Sequence, residues 1–264
     1  MDQVVAAQRP AFHLLADDIA YADDDGRGYR PALVKGSAPG VFHPLVWDLY
    51  LAQIAPVAAQ IPWMVTMGNH DMEALYSPDG YDGQLCRFAV PGNGPASCPA
   101  VYSFTCQNVA FLALDANDVS YEIPANLGYS GGEQTRWIAA QLSAYRGEAG
   151  IDFIVALLHH CAHCTGRTHG SDGGVREHWT PLFDQYQVDL VINGHNHLYE
   201  RTDPILAGIV RRAAPAGSIV HPATDGTTYL TAGGGGKGVE LFRVAQSYEG
   251  HVDIVDPIQT QTWT

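Results

Sequence analysis

Four places in the chain gather Asp, Asn, His or Tyr side chains within a few residues. They are Asp17-Asp18 with Tyr21, Asn69-His70-Asp71, His159-His160, and His195-Asn196-His197. A carboxylate can bridge two cations, an amide offers a neutral oxygen, and imidazole suits zinc, iron and similar ions. Asp18 is the natural bridge. Tyr21, three positions later, is close enough for a tight turn to bring its phenol to the same metal, and a phenolate suits Fe(III) better than Zn(II). In extended backbone the i and i+2 side chains point the same way, so His195 and His197 can serve two adjacent ions. A mixed oxygen and nitrogen set around a bridging carboxylate is the ligand chemistry of a two-metal hydrolase, with metals about 3.5–4 Å apart. Each piece alone has a plainer reading: a turn for Asp17-Asp18, a packed aromatic for Tyr21, satisfied core histidines for His159-His160. Their recurrence in one pattern favours the metal site.

That pattern is positional. Each cluster follows a short apolar run, at residues 12–16, 63–67, 151–158 and 188–192, and runs of this length read as buried strands. Helix-like segments lie between them at about 45–60, 132–145 and 176–187. Ser130, with Glu133 three residues on, reads as the start of the middle one. Strands alternating with helices predict an α/β fold with a largely parallel sheet. Ligands gather beyond the carboxyl ends of such strands, so the four clusters become four arms of one site. Residues 81–99, rich in Gly, Pro and Cys, read as a loop. The run Gly233-Gly234-Gly235-Gly236 reads as packing or a turn rather than a phosphate cradle, because no Walker-type Lys-Ser/Thr follows it.

The bulk properties narrow the partners. With 264 residues and 46% hydrophobic side chains, one large domain can bury a full core. No apolar run is long enough to span a membrane and no basic-then-apolar leader opens the chain, so no membrane partner is expected. The formal charge of -14 repels nucleic-acid polymers at long range. Small anions remain compatible, because a bound metal reverses the local field. Five cysteines are too few for a disulfide scaffold, although Cys86, Cys98 and Cys106 share one loop-rich stretch where a bridge can form. A zinc knuckle built from Cys161, His163, Cys164 and His169 is the rival metal site, but it has only one Cys-x-x-Cys pair.

At these residues the chain resembles the calcineurin-like metallophosphoesterases and, within that superfamily, the purple acid phosphatases. The second family motif appears as Asp17-Asp18-Ile19-Ala20-Tyr21, the third as Gly68-Asn69-His70-Asp71, the fourth at His159, and the fifth as Gly194-His195-Asn196-His197. The tyrosine of the second motif separates purple acid phosphatases from most of the superfamily. The likeness runs from about residue 12 to 236 and includes Gln134 and Trp137. It implies a four-layer αββα metallophosphoesterase sandwich. It further implies that Asp18 bridges two metals, that Tyr21 and His197 hold an iron-like site, and that Asn69, His159 and His195 hold a divalent site. His159 is preferred to His160 for its spacing to His163 and His169. His70 and His169 become the catalytic, substrate-facing histidines. The implied cofactors are Fe(III) with Zn(II), Mn(II) or Fe(II). The implied reaction is hydrolysis of a phosphomonoester by a metal-bound hydroxide, with an acidic optimum if iron fills the Tyr21 site.

Two departures qualify the resemblance. Asp17 stands where the family has Gly. The first motif is absent, and residues 1–5 resemble the end of the family's first helix, so a single N-terminally shortened catalytic domain, residues 1–264, without its first strand and that strand's Asp, is expected. This leaves filling of the second metal site open. The alternatives are a phosphodiesterase or nucleotide hydrolase on the same site, and a truncated metal-binding homologue without catalysis. A small phosphorylated substrate is the expected partner, and the oligomeric state stays open. An extracytoplasmic location is expected from the family habit of export, although no export signal is present.

Overall fold

The computed structural model describes residues 2–21, 44–71, 82–122, 124, 126–235 and 238. The first half runs α1 (Asp2–Gln8), β1 (His13–Leu15), α2 (Pro44–Ala58), β2 (Trp63–Val65), α3 (Asp82–Leu85), β3 (Tyr102–Cys106), β4 (Val109–Ala113) and α4 (Glu133–Gly147). The second half runs β5 (Phe153–Leu157), α5 (Gly173–His178), α6 (Thr180–Gln185), β6 (Leu190–Asn193), β7 (Tyr199–Arg201), β8 (Ile205–Leu206), β9 (Ile209–Val210), α7 (Pro222–Asp225) and β10 (Thr228–Ala232). Strands β1 and β2 pair in parallel, with Leu15 opposite Val65. A second sheet has the order β3-β4-β5-β6-β10-β7; its inner four strands are parallel, and β3 and β7 are antiparallel edges.

Period-two alternation decides the layers. Val109, Phe111, Val155, Leu157, Leu190 and Ile192 share one face of the large sheet and meet Phe12, Leu14 and Ala16 around β1. Phe12 sets its edge against the stacked rings of Phe104 and Phe111. Ala110, Leu112, Ile154, Ala156 and Val191 take the opposite face and pack on Ile138 and Leu142 of α4, Val175 of α5 and Phe183 of α6. On the outer face of the small sheet, Leu15, Trp63 and Val65 cover Trp47 and Ile54 of α2. Helix, sheet, sheet, helix: this is the expected four-layer sandwich. Truncating a residue such as Leu112 or Ile154, both fully buried, costs about 2–5 kcal/mol.

Several local expectations change. The sheet is mixed, because Tyr102–Cys106 turns back on Val109–Ala113 through Gln107 at φ 54. The segment at 176–187 is two helices; Pro181 in the first turn of α6 has no N–H to continue the ladder from α5. Helix α4 starts at Glu133 after Gly132 at φ 76, with no side-chain cap. Ser130, two residues before that position, accepts from the Gly132 and Gln134 amides at 3.1 and 3.4 Å while its hydroxyl donates to Asp118, and the Glu133 carboxylate reaches outward to the amides of Ala96 and Ser97. Residues 82–99 hold the single turn α3 and are otherwise irregular. All five cysteines are free thiols. A Cβ on Gly233 would lie 1.9 Å from the Gly194 carbonyl, so this glycine is there for packing; Gly236 lies outside the described residues. At the start of the described residues, Asp2–Gln8 form helix α1.

Candidate metal centre

Parallel pairing in register brings the carboxyl ends of β1, β2, β5 and β6 to one edge of the sandwich. The loops that leave them carry the four clusters. Around His159, which is wholly buried, the Nε2 atom lies 2.9 Å from Asn69 Oδ1, 3.0 Å from His195 Nδ1 and 3.4 Å from Asp18 Oδ1. Its Nδ1 is 3.2 Å from the Ala16 carbonyl, an acceptor, so that nitrogen carries the proton. In a neutral ring Nε2 is then a bare lone pair. His195 Nε2 is 2.5 Å from Glu122 Oε2 and donates to it, which leaves Nδ1 bare as well. Three acceptor atoms, on Asn69, His195 and Asp18, thus lie within 3.4 Å of a fourth, His159 Nε2, with no donor among them when His159 is neutral. Metal bonds of about 2.1 Å at right angles separate their donors by about 3 Å, so this set fits a cation.

The electrostatics agree. Burial opposes charge on Asp18, yet His159, His70 and His195 hold its carboxyl well below the ordinary range. Burial would strip His159 of its second proton, but Asp18 raises it to about 10. A base pair of atoms that grips a proton so firmly grips a metal ion at the same point. Burial, joined by the charge of His159, depresses His195 to about 4, keeping it neutral and ready as a ligand.

Beside this set lies a second one. Tyr21 Oη is 3.0 Å from His197 Nε2, and the phenol also hydrogen-bonds Asp18. Tyr21 holds φ 53, a left-handed conformation that costs a non-glycine residue energy and aims its ring inward. Burial and then the charges of Asp18 and Asp17 push the phenol up, so it needs a cation to ionise. The His70 ring packs 4.5 Å from that of Tyr21, and its backbone N–H donates to Asp18 Oδ1 at 2.9 Å. Asp17, the residue that replaces glycine, accepts from the Asp18 amide at 3.0 Å and is raised to about 8, chiefly by burial.

The structure therefore brings Asp18, Tyr21, Asn69, His159, His195 and His197 together, with His70 against them. His169 arrives indirectly: its Nδ1 is 3.0 Å from Glu122 Oε1, and its ring lies 4.1 Å from that of His195. These two histidines and Glu122 line a cleft of about 340 Å³ with Tyr121, Ser171 and Asp172. His160 stacks 4.6 Å from His195, outside the Asp18 set. The zinc-knuckle expectation fails. Among the described residues the close-set donor groups are Glu122, His169 and His195, and Asp17, Asp18 and His159. Cys164 instead donates to Glu200 at 3.6 Å, in a packed core with Leu198.

Sequence reasoning missed two carboxylates. Asp71 is fully buried and accepts from the amides of Ile19, Ala20 and Gly68 at 2.7, 2.9 and 3.2 Å, tying the Asp18 loop to the Asn69 loop. Its place directly after Gly-Asn-His was the available signal. Glu122 sits in a loop with no strand before it and offered none. Glycine is required where those loops touch: a Cβ on Gly68 would fall 2.0 Å from Asp18 Oδ1, and one on Gly194 2.5 Å from the Ala16 carbonyl.

Comparison with known proteins places this geometry. The calcineurin-like phosphoesterase profile matches residues 16–199, from the end of β1 to the start of β7. The chain belongs to that family. Uncharacterized protein Rv2577 of Mycobacterium tuberculosis is 37% identical over 248 residues, covering 89% of this chain and 44% of the relative. Purple acid phosphatase 21 of Arabidopsis thaliana is 27% identical over 254 residues, covering 94% of this chain and 49% of the relative. The chain thus spans about half the length of the curated relatives it matches. The structure of a purple acid phosphatase from yellow lupin seeds shares the fold, with a TM-score of 0.57 at 22% identity over 76% of this chain and 36% of that one. Among the described residues no helix is long and apolar enough to cross a membrane.

Proposed function

We propose that this chain hydrolyses phosphomonoesters of small molecules at a two-metal centre. Asn69, His159 and His195 would hold a divalent ion, Tyr21 and His197 its neighbour, and Asp18 would be shared by the two. The observation that carries this reading is the convergence of lone-pair donors on His159 Nε2 at 2.9–3.4 Å, beside the Tyr21–His197 pair at 3.0 Å. When bound, the two ions supply Lewis-acid polarisation of phosphoryl oxygens and a water acidified toward neutral pH. A phenolate at Tyr21 favours Fe(III) there, with Zn(II), Mn(II) or Fe(II) at the other position. His70, stacked beside Tyr21, stabilises charge on the phosphate and gives a proton to the leaving oxygen. His169 faces the substrate from the cleft. The net charge of -14 disfavours nucleic-acid polymers and leaves small phosphorylated molecules as substrates.

The test is elemental analysis of protein purified without chelator, paired with rates on an aryl phosphomonoester and a bis-aryl phosphodiester. Close to two metals per chain and faster monoester turnover are expected. A folded protein without bound metal, or a metal-loaded one without turnover, overturns the reading. Preference for the diester moves it to the phosphodiesterases.

A further inference from the structure

One carboxylate touches two rings of the site, and the motifs give no reason for it. Glu122 Oε2 accepts from His195 Nε2 at 2.5 Å, and its Oε1 is 3.0 Å from His169 Nδ1. The loop that carries it is held from both sides. Its own amide donates to Ser120 Oγ at 3.1 Å, while Ser120 Oγ and the Tyr121 amide donate to Asp172 Oδ2 at 2.7 and 3.1 Å. Asp172 caps α5 and its amide donates to the Cys161 carbonyl at 2.7 Å, two residues beyond His159. The carboxylate is thus pinned to the strand end that bears the proposed ligands.

We infer that Glu122 is a positioning residue that orients the metal ligand His195 and the substrate-facing His169 together. The inference rests on the two-metal reading above. An ionised carboxylate only accepts, and its two oxygens serve both imidazoles at once. Each ring must then carry its proton on the nitrogen that faces Glu122. In His195 this leaves Nδ1 bare, directed at His159 Nε2; in His169 it leaves Nε2 as the basic nitrogen. A half-exposed ion pair ordinarily contributes little. This one differs because the far nitrogen of the same His195 ring lies 3.0 Å from His159. A carboxylate hydrogen-bonded behind a metal-binding imidazole fixes its tautomer and raises its basicity.

Glu122→Gln separates the possibilities, since an amide keeps one acceptor and turns the other into a donor, so one of the two rings either loses its partner or moves its proton to the opposite nitrogen. The metal-free protein is titrated with Co(II), followed by visible absorption, and with Zn(II), followed by calorimetry. Glu122→Gln is expected to weaken binding about 10–100-fold without changing the number of ions bound, and Glu122→Asp to recover part of the loss. At saturating metal, Glu122→Gln is expected to raise KM for an aryl phosphate, and to add nothing in a His169→Ala background. Unchanged affinity in folded Glu122→Gln overturns the inference alone. Loss of one whole ion also overturns it, making Glu122 a ligand itself. A wild-type chain that binds no metal overturns the two-metal reading, and this inference with it.

Discussion

Two clusters of buried carboxylates sit past strand ends in this molecule, and they are wired in opposite ways. Past β4, Asp115 and Asp118 are buried, and each of their four oxygens has a donor. Asp115 Oδ1 receives Asn117 N and Nδ2, and its Oδ2 receives Tyr129 Oη; Asp118 Oδ1 receives Ser130 N, and its Oδ2 receives Ser130 Oγ and Gln134 Nε2. Past β1, Asp18 receives the His70 amide and the Tyr21 phenol, but His159 Nε2 beside it is met by Asp18 Oδ1, Asn69 Oδ1 and His195 Nδ1, all acceptors when the rings are neutral. A satisfied network is finished by protein atoms alone and holds the loop before α4 in place. An acceptor-rich one is completed only by a proton or a cation. Burial being equal, the balance of donors and acceptors marks which cluster is structural and which is chemical.

The largest test of that contrast removes one acceptor from the Asp18 set. His195→Ala or Asn69→Ala is expected to cut metal affinity by more than about 100-fold, beyond the usual effect of losing a partner behind a ligand. Activity should fall to background while circular dichroism stays native, and full activity in either variant would break the assignment. Next comes His70→Ala, expected to lower kcat about 100-fold with metal content unchanged, the signature of a proton-transfer group rather than a ligand. The reverse prediction holds for the other cluster. Asp118→Ala strands the donors of Ser130 and Gln134, and should cost about 1–3 kcal/mol in urea unfolding with metal stoichiometry intact.

The smallest effect is one of pH. Burial raises Asp115 from 3.8 to about 7 despite its donors. The folded chain therefore binds that proton more tightly than the unfolded chain does. Stability from this group is fully present below about pH 4 and lost as pH rises through about 7, with a slope of up to about 1.4 kcal/mol per pH unit. Asp115→Asn should flatten that part of the stability–pH curve. A slope identical to wild type would show that other groups carry it.

The site was more legible than its surroundings. Asp18, Asn69, His159 and His195 could be found because each follows an apolar run, and in a parallel sheet all such runs end on one edge. Strand β3 was not legible as part of the site's sheet because Tyr102–Cys106 alternates apolar and polar residues rather than forming an unbroken apolar run, and no Asp, Asn or His cluster follows it, so the antiparallel edge came only from the structure. The break between α5 and α6 lay in one proline inside an otherwise periodic segment. Ser130 does accept from the Gly132 and Gln134 amides at the start of α4, as local pattern suggested, but its O–H also donates to the buried Asp118 twelve residues upstream, a partner that no local rule indicates.

Residue chemistry and its recurrence at strand ends pointed by themselves to the candidate ligands and an α/β fold, and carried the family resemblance that implied the sandwich, because ligand type and hydrophobic period are local properties. Tertiary structure alone decided which nitrogen of each histidine faces inward, that Asp71 clamps two loops, and that Glu122 reaches His195 across 73 positions of chain. Those facts depend on the approach of segments remote in sequence, and no spacing rule reaches that far.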